Sequence, residues 1–486
     1  MGGRERSRQR LDLAVLMFCQ HFRKVYIGEQ AMHSSKVYAR LNERVLLADH
    51  LVVLNVMVSK VATNLKCFVR CDGVIQATLG LFQDLATGYM SGKLMLKLEA
   101  INFILNNHTA EQFPFLNEQS NMRNRTTFYL TLGRLLFMED SPARFRTFMA
   151  PLNTSFQQLV AADPTAFQSA GAKATLIGLL RDLRGLATAA NSRKTYGMLF
   201  EWMYPRHMPV LLRALETYAD QPEVTTPVLK FLSEFVLNKT QRLTFDSSSP
   251  NGILLFREVS KLLLAYGNRA LQLQPADPYA GKYKGVWVAL QMLTRALGGG
   301  YTNFGVFELY GDPALRDALG MALKLALTIP LNDIVAFRKV AKAYYALLEQ
   351  MCHSHTAFVI GQDSTTFARI VESLEVGLKS LDVSISSQCA SAVDSLAAFH
   401  FNKNLAPRDP DEAPHPMAAA MAQHVAARPG MFPDILKLLF EIVLFEDCAN
   451  QWSLSRPMLS LILVNESVFG ELKLQIAASQ PQERQA

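Results

Sequence analysis

Apolar residues recur along nearly the whole of this chain at helical spacing. Phe337, Val340, Ala341, Tyr344 and Leu348 fall at i, i+3, i+4, i+7 and i+11, with Arg338, Lys339 and Lys342 on the other side. That pattern predicts an amphipathic helix with one buried stripe. Ile435–Phe445 is apolar almost all round, which predicts a helix covered on several sides. Alternating strand patterns are missing from the reading. The same test predicts helices at 11–26, 35–46, 49–69, 74–88, 92–106, 122–138, 143–161, 173–190, 194–203, 206–219 and 226–238. It then predicts 251–266, 283–297, 313–328, 332–351, 365–379, 385–402, 417–427, 431–446, 450–463 and 467–478. About twenty helices over this length means one helix pair every forty-odd residues, the spacing of HEAT or armadillo units. Tetratricopeptide and ankyrin signatures are not evident. The expected fold class is therefore all-α, an α-solenoid of HEAT/armadillo-like helix pairs.

The breaks have local causes. Pro205 and Pro209 bracket a helix start, where a missing N–H costs little. Thr225-Thr226-Pro227 predicts another start, with a hydroxyl cap. Ser249-Pro250-Asn251-Gly252 reads as a turn, and Gly298-Gly299-Gly300 as a helix end. The expected organisation is a disordered basic start over 1–10, a continuous array over 11–478, and a frayed tail over 479–486. A longer loop is expected over 402–416, with prolines at 407, 410, 414 and 416 and acids at 409, 411 and 412.

Composition narrows the function classes. Half of the 486 residues are hydrophobic and 19% are charged, which excludes a disordered chain. The apolar runs are too short and too interrupted to span a bilayer, so no membrane insertion is expected. Neither a signal peptide nor a myristoylation site is read at the N-terminus, where Arg6 occupies the position that needs Ser or Thr. A net charge of +7 is mild and dispersed, without aromatic interleaving, so direct nucleic-acid binding is not expected.

Chemical motifs are weak. Cys67 and Cys71 lie one helical turn apart, the wrong spacing for a zinc knuckle. Cys352-His353-Ser354-His355 is the densest set of metal-ligand types, but no second pair accompanies it. Gly88–Lys93 lacks phosphate-loop spacing, and Gly298–Gly300 lacks dinucleotide spacing and follows a helix. The expectation is no catalytic residue, no metal, no cofactor and no enzyme activity. Two features remain. Arg181-Asp182-Leu183-Arg184 places charge on an apolar helix; the preferred reading is pairing between neighbouring helices that fixes repeat register, and the other is a grip on a partner carboxylate. Trp202 and Trp452 are expected in the core.

Specific strings add to this. They run in order FRKVYIGEQ (Phe22–Gln30), LNNHTAEQFPFL (Leu105–Leu116), RTTFYLTLGRLL (Arg125–Leu136), LLRDLRGLA (Leu179–Ala187), MLFEWMYP (Met198–Pro205) and QRLTFDSSSPNGILLFRE (Gln241–Glu258). YTNFGVFELYGD (Tyr301–Asp312) and FEDCANQWSLSRPMLSLILVNE (Phe445–Glu466) follow. From about Phe22 to Gln482 the chain resembles the C-terminal half of the exportin-seven family, within the importin-β superfamily. Met1–Arg10 does not share the resemblance. The resemblance implies a nuclear export receptor that carries protein cargo through the nuclear pore, with Ran in its GTP form, cargo and nucleoporins as partners, located in nucleus, cytoplasm and pore complex. It also implies that the N-terminal Ran-binding repeats have no counterpart here. A helical-repeat scaffold without transport activity is the alternative, because solenoids serve both roles.

Overall fold

A computed structural model describes residues 2–26, 36, 40, 43–47, 49–246, 248–406, 415–445 and 449–479. Among these residues there are helices and turns and no strand. The longer helices are α1 (Gly2–Tyr26), α2 (His50–Cys67), α3 (Asp72–Thr87), α4 (Tyr89–Met95), α5 (Glu99–Asn106), α6 (Asn124–Leu136) and α7 (Pro142–Ala161). They continue as α8 (Ala170–Ala189), α9 (Arg193–Met203), α10 (Met208–Thr217), α11 (Pro222–Phe235), α12 (Asn251–Ala270), α13 (Lys284–Leu297) and α14 (Ala314–Leu327). The last are α15 (Arg338–Ser354), α16 (Ser364–Leu378), α17 (Val383–His400), α18 (Ala418–Ala427), α19 (Met431–Phe445), α20 (Gln451–Val464) and α21 (Glu466–Ser479).

The expected single array divides into two compact units, Met1–Glu258 and Val259–Ala486. In the first, α1, α3, α6, α8 and α11 pack each on the next as one rank. A second rank of α2, α5, α7 and α10 packs in the same order, with α2 also against α3, α7 against α8 and α10 against α11. In the second unit α13, α15, α17 and α20 form the corresponding rank, and α14, α16, α18 and α19 pack beside it. This is a helix-pair repeat fold: each helix buries one face on the next repeat and another on its own partner.

The core follows from the apolar spacing. On α8, Leu176, Leu179, Leu180, Leu183 and Leu186 are buried to 3% exposure or less, each burial stabilising the unit by about 1.5–3 kcal/mol. Several helix starts carry side-chain caps. Ser169 Oγ accepts from Ala172 N–H at 3.2 Å, Asp163 from Ala166 N–H at 2.8 Å, and Ser192 with Thr195 closes a capping box before α9.

Several expectations need correction. The 1–10 segment is helical from Gly2 onward. The helix expected over 92–106 is two, α4 and α5, with Leu98 extended between them. That expected over 332–351 breaks at Phe337, whose φ of −103° and ψ of 95° start α15 afresh after Leu331–Ala336. The start expected at Thr225-Thr226-Pro227 lies instead at Pro222: Pro227 sits inside α11, where one absent N–H removes a single bond near the helix's beginning. The helix expected to end at 402 runs on as Phe401–Leu405. Residues 407–414 of the expected loop, most of the helix expected over 35–46, and 480–486 of the tail lie outside the described residues. Ile435–Phe445 is covered on one side and not on several: Ile435, Leu436, Leu439 and Ile442 are buried, whereas Lys437, Glu441, Leu444 and Phe445 are exposed.

Candidate partner-binding surface

The charged stretch of α8 is where sequence and packing meet. Gly185 faces α6 so closely that a Cβ there would stand 2.5 Å from the Thr126 carbonyl oxygen and 2.7 Å from the Leu130 amide nitrogen. Only glycine allows this backbone approach. One turn earlier, Asp182 is 1% exposed and receives two bonds from the Arg125 guanidinium of α6. Nε donates to Oδ1 at 2.9 Å, and Nη2 donates to Oδ2. Arg125 Nη1 also donates to the Leu116 carbonyl at 2.6 Å. Burial pushes the Asp182 carboxyl up to about 6 while Arg125 pulls against it, so at neutral pH the pair is ionised. A fork-to-carboxylate bond of this kind is directional, and it permits one sliding position of α8 on α6. For Asp182 the register reading therefore describes the structure.

Two further pins belong to the same unit. His108 is stacked on Phe148, with centroids 4.0 Å apart. Its Nε2–H donates to the Phe148 carbonyl at 3.0 Å, and Nδ1 faces the Tyr129 hydroxyl at 3.1 Å. Burial lowers its pKa to about 4, which leaves it neutral at pH 7. Arg242 is fully buried. Its guanidinium donates to the carbonyls of Ala187 and Ala190 at the end of α8, and to those of Glu234 and Leu237 at the end of α11. The ring of Tyr196 lies 5.3 Å beneath it. Helix C-termini hold unsatisfied carbonyls and partial negative charge, and one arginine serves two of them. Sequence reading did not single out Arg242; a lone arginine before an apolar Leu243 carried no signal.

Arg181 and Arg184 differ from Asp182. Neither guanidinium makes a hydrogen bond or ion pair among the described residues, and Arg181 Nε is buried without an acceptor. Burial first, then the fields of Arg123, Arg184 and Arg125, lower the Arg181 pKa.

The tryptophans separate. Trp202 packs edge-on against Phe156, with centroids 5.6 Å apart, and lies 4.4 Å from the His207 ring. Trp452 is 91% exposed, against expectation. Leu454, Pro457 and Leu461 form the buried side of α20, and two residues on a helix subtend about 200°, so Trp452 points away from Leu454. Cys352 is buried whereas His353 is exposed, so the Cys–His stretch does not converge. Among the described residues there is no group of three or more His, Cys, Asp or Glu arranged to hold a metal. No described helix is long and apolar enough to cross a membrane.

The second unit contains open cavities. One, of about 590 Å³, is lined by Phe367, Arg369, Glu372, His424 and Arg428 together with apolar groups. His424 stacks on Phe367 at 4.1 Å and donates from Nε2 to the Ile360 carbonyl at 2.8 Å. A second cavity of about 520 Å³ lies along Val335, Tyr345, Val376 and Leu381. Ser364, Thr365 and Ser373 also line the first cavity, and among the described residues His424 bonds to none of their hydroxyls.

Residues 2–124 match the family model described as "Exportin-7-like, TPR domain". The match starts at residue 2, so the resemblance includes most of the Met1–Arg10 segment expected to fall outside it. The chain is 43% identical over 98% of its length to Exportin-7-B of Xenopus laevis. It is 40% identical over 99% to Ran-binding protein 17 of Mus musculus, and 36% identical over 96% to Exportin-7 of Dictyostelium discoideum. This is an exportin-7-type sequence. It spans about 45% of the length of the curated relatives it matches. In this exportin-7-type chain the strings that carried the resemblance hold much of the unit 1 chemistry. Arg125, Tyr129, Asp182, Gly185, His108 and Arg242 all lie within them.

Proposed function

We propose that this chain works as part of a nuclear export receptor, binding protein cargo and Ran in its GTP form and shuttling between nucleus and cytoplasm through the pore. One observation carries the reading: identity of 36–43% along nearly the entire chain to proteins named exportin-7 and Ran-binding protein. The helix-pair stack supports it physically. Each repeat touches only its neighbours, so such an array deforms in small increments, and two protein ligands on it are coupled through that deformation. Catalysis has no part in this work. Nucleoporin contact during passage through the pore belongs to the same proposal.

The test is capture of purified Ran, locked in its GTP or GDP form, by the immobilised chain, followed by export of a fluorescent cargo from permeabilised nuclei. Retention of the GTP form alone, with export that stops when Ran is GDP-locked, is the expected result. Equal or absent retention of both forms removes the Ran-dependent part. Constitutive capture of one protein regardless of nucleotide replaces the receptor reading with a scaffold.

A further inference from the structure

The charged stretch of α8 has two fates in one turn of helix. Asp182 is fully engaged by Arg125. Arg181 and Arg184, at i and i+3, lie on one side of α8. Arg123 stands at the N-terminal cap of α6, the neighbouring helix of the rank, and its charge is felt at Arg181. No carboxylate lies within ion-pair distance of these three among the described residues.

Several cations of the same unit are matched by acids. Lys173 on α8 pairs with Glu223 of α11 at 2.6 Å, Lys239 with Glu234 at 3.1 Å, Arg193 with Asp246 and Lys194 with Asp140. Gathering unpaired like charges beside one another destabilises the folded chain. Burying a guanidinium nitrogen without an acceptor adds to that cost. Packing supplies no reason for either, because the register is already set by Arg125, Asp182 and Gly185. An incoming anion offsets both.

We propose that Arg123, Arg181 and Arg184 form a docking site for an acidic polypeptide segment, whose Asp and Glu carboxylates are received by the guanidinium groups. The proposal goes beyond the transport reading and stands without it. Several separate carboxylates suit guanidiniums spread over two helices, since each takes its own planar fork. A nucleic-acid strand is less well served. The neighbouring rings of Phe128 and Tyr129 are buried, so neither offers a face for the base stacking that a single strand uses.

The probe is a fluorescein-labelled decapeptide of alternating Asp and Glu, titrated with the full chain and read by anisotropy at low and raised salt. Wild type is expected to bind, with affinity falling as salt rises. R181Q/R184Q is expected to bind about tenfold more weakly, the loss of two charge-assisted contacts at a part-exposed site. R193Q/K194Q removes the same charge elsewhere in the unit and is expected to stay within about twofold of wild type. R123Q, at an exposed position, is expected to weaken binding about threefold and keeps the test open if the double variant misfolds. Absence of binding by wild type, or equal losses in the two double variants, overturns the site. Tighter binding of a single-stranded RNA of equal length through the same arginines overturns the choice of occupant. The GTP- and GDP-locked Ran assay reads neither result, so the two proposals fail separately.

Discussion

The α6–α8 seam of the first unit and the α15–α16 seam of the second each fix how one helix sits on another, with different chemistry. In the first, backbone meets backbone at Gly185 and a buried ion pair, Arg125 with Asp182, fixes the slide. In the second, neutral hydroxyls take that role. Tyr344 Oη donates to Ser373 Oγ at 2.9 Å, and Tyr345 Oη donates to the Ser373 carbonyl at 3.0 Å. Gly377 makes room for side chains, not backbone: a Cβ there would stand 2.3 Å from Cys389 Sγ and 2.6 Å from Tyr345 Cε1. A helix-pair repeat thus needs a register device but not a particular one. The devices differ in what their loss leaves behind. Removing one half of an ion pair strands a charge, whereas removing a hydroxyl strands only a weak dipole.

That difference ranks the tests. Asp182→Ala is expected to be the most damaging, at about 3 kcal/mol, because Arg125 is left charged with only the Leu116 carbonyl and limited solvent. Faster amide hydrogen exchange confined to α6 and α8 is the readout. Exchange unchanged in those helices would show that the pair does not hold the seam. Next come the two glycines. Gly185→Ala should cost about 3 kcal/mol at most, since the obstacle is the α6 backbone, and Gly377→Ala about 1 kcal/mol, since Tyr345 and Cys389 have side chains able to shift. Thermal melts that reverse this order would erase the distinction between the seams. The smallest effect is expected from Tyr345→Phe, about 1 kcal/mol or less for one hydroxyl–carbonyl bond. A loss matching that of Asp182→Ala, measured by exchange of α15 and α16, would mean that the second unit is as dependent on its pin as the first.

Much of the fold was readable from one dimension. The apolar spacing found most of the long helices to within a few residues, because burying one face of each helix is the main constraint on an array of pairs. It missed the interruptions at Leu98 and Phe337, where an apolar residue continues the stripe while the backbone turns away. It also misplaced Trp452, since a residue's side of a helix depends on which of its faces a neighbour covers. The partner surface was half-legible. Arg181, Asp182 and Arg184 stood out as charge on an apolar helix, but nothing in the string distinguishes the acid that pairs inward from the arginines that remain without a carboxylate.

What the sequence determined by itself is the all-helical repeat class and the exportin-7-type kinship, because periodicity and long strings are properties of the chain. What only the tertiary structure decided is which polar groups meet. Arg125 and Asp182 are 57 positions apart, as are many residues that never touch. Arg242 gathers carbonyls from two helix ends up to 55 positions away. Such pairings arise from the angle and offset at which two helices pack. Those are set by close approaches such as Gly185, so the assignment of paired and unpaired charge follows from packing and not from spacing along the chain.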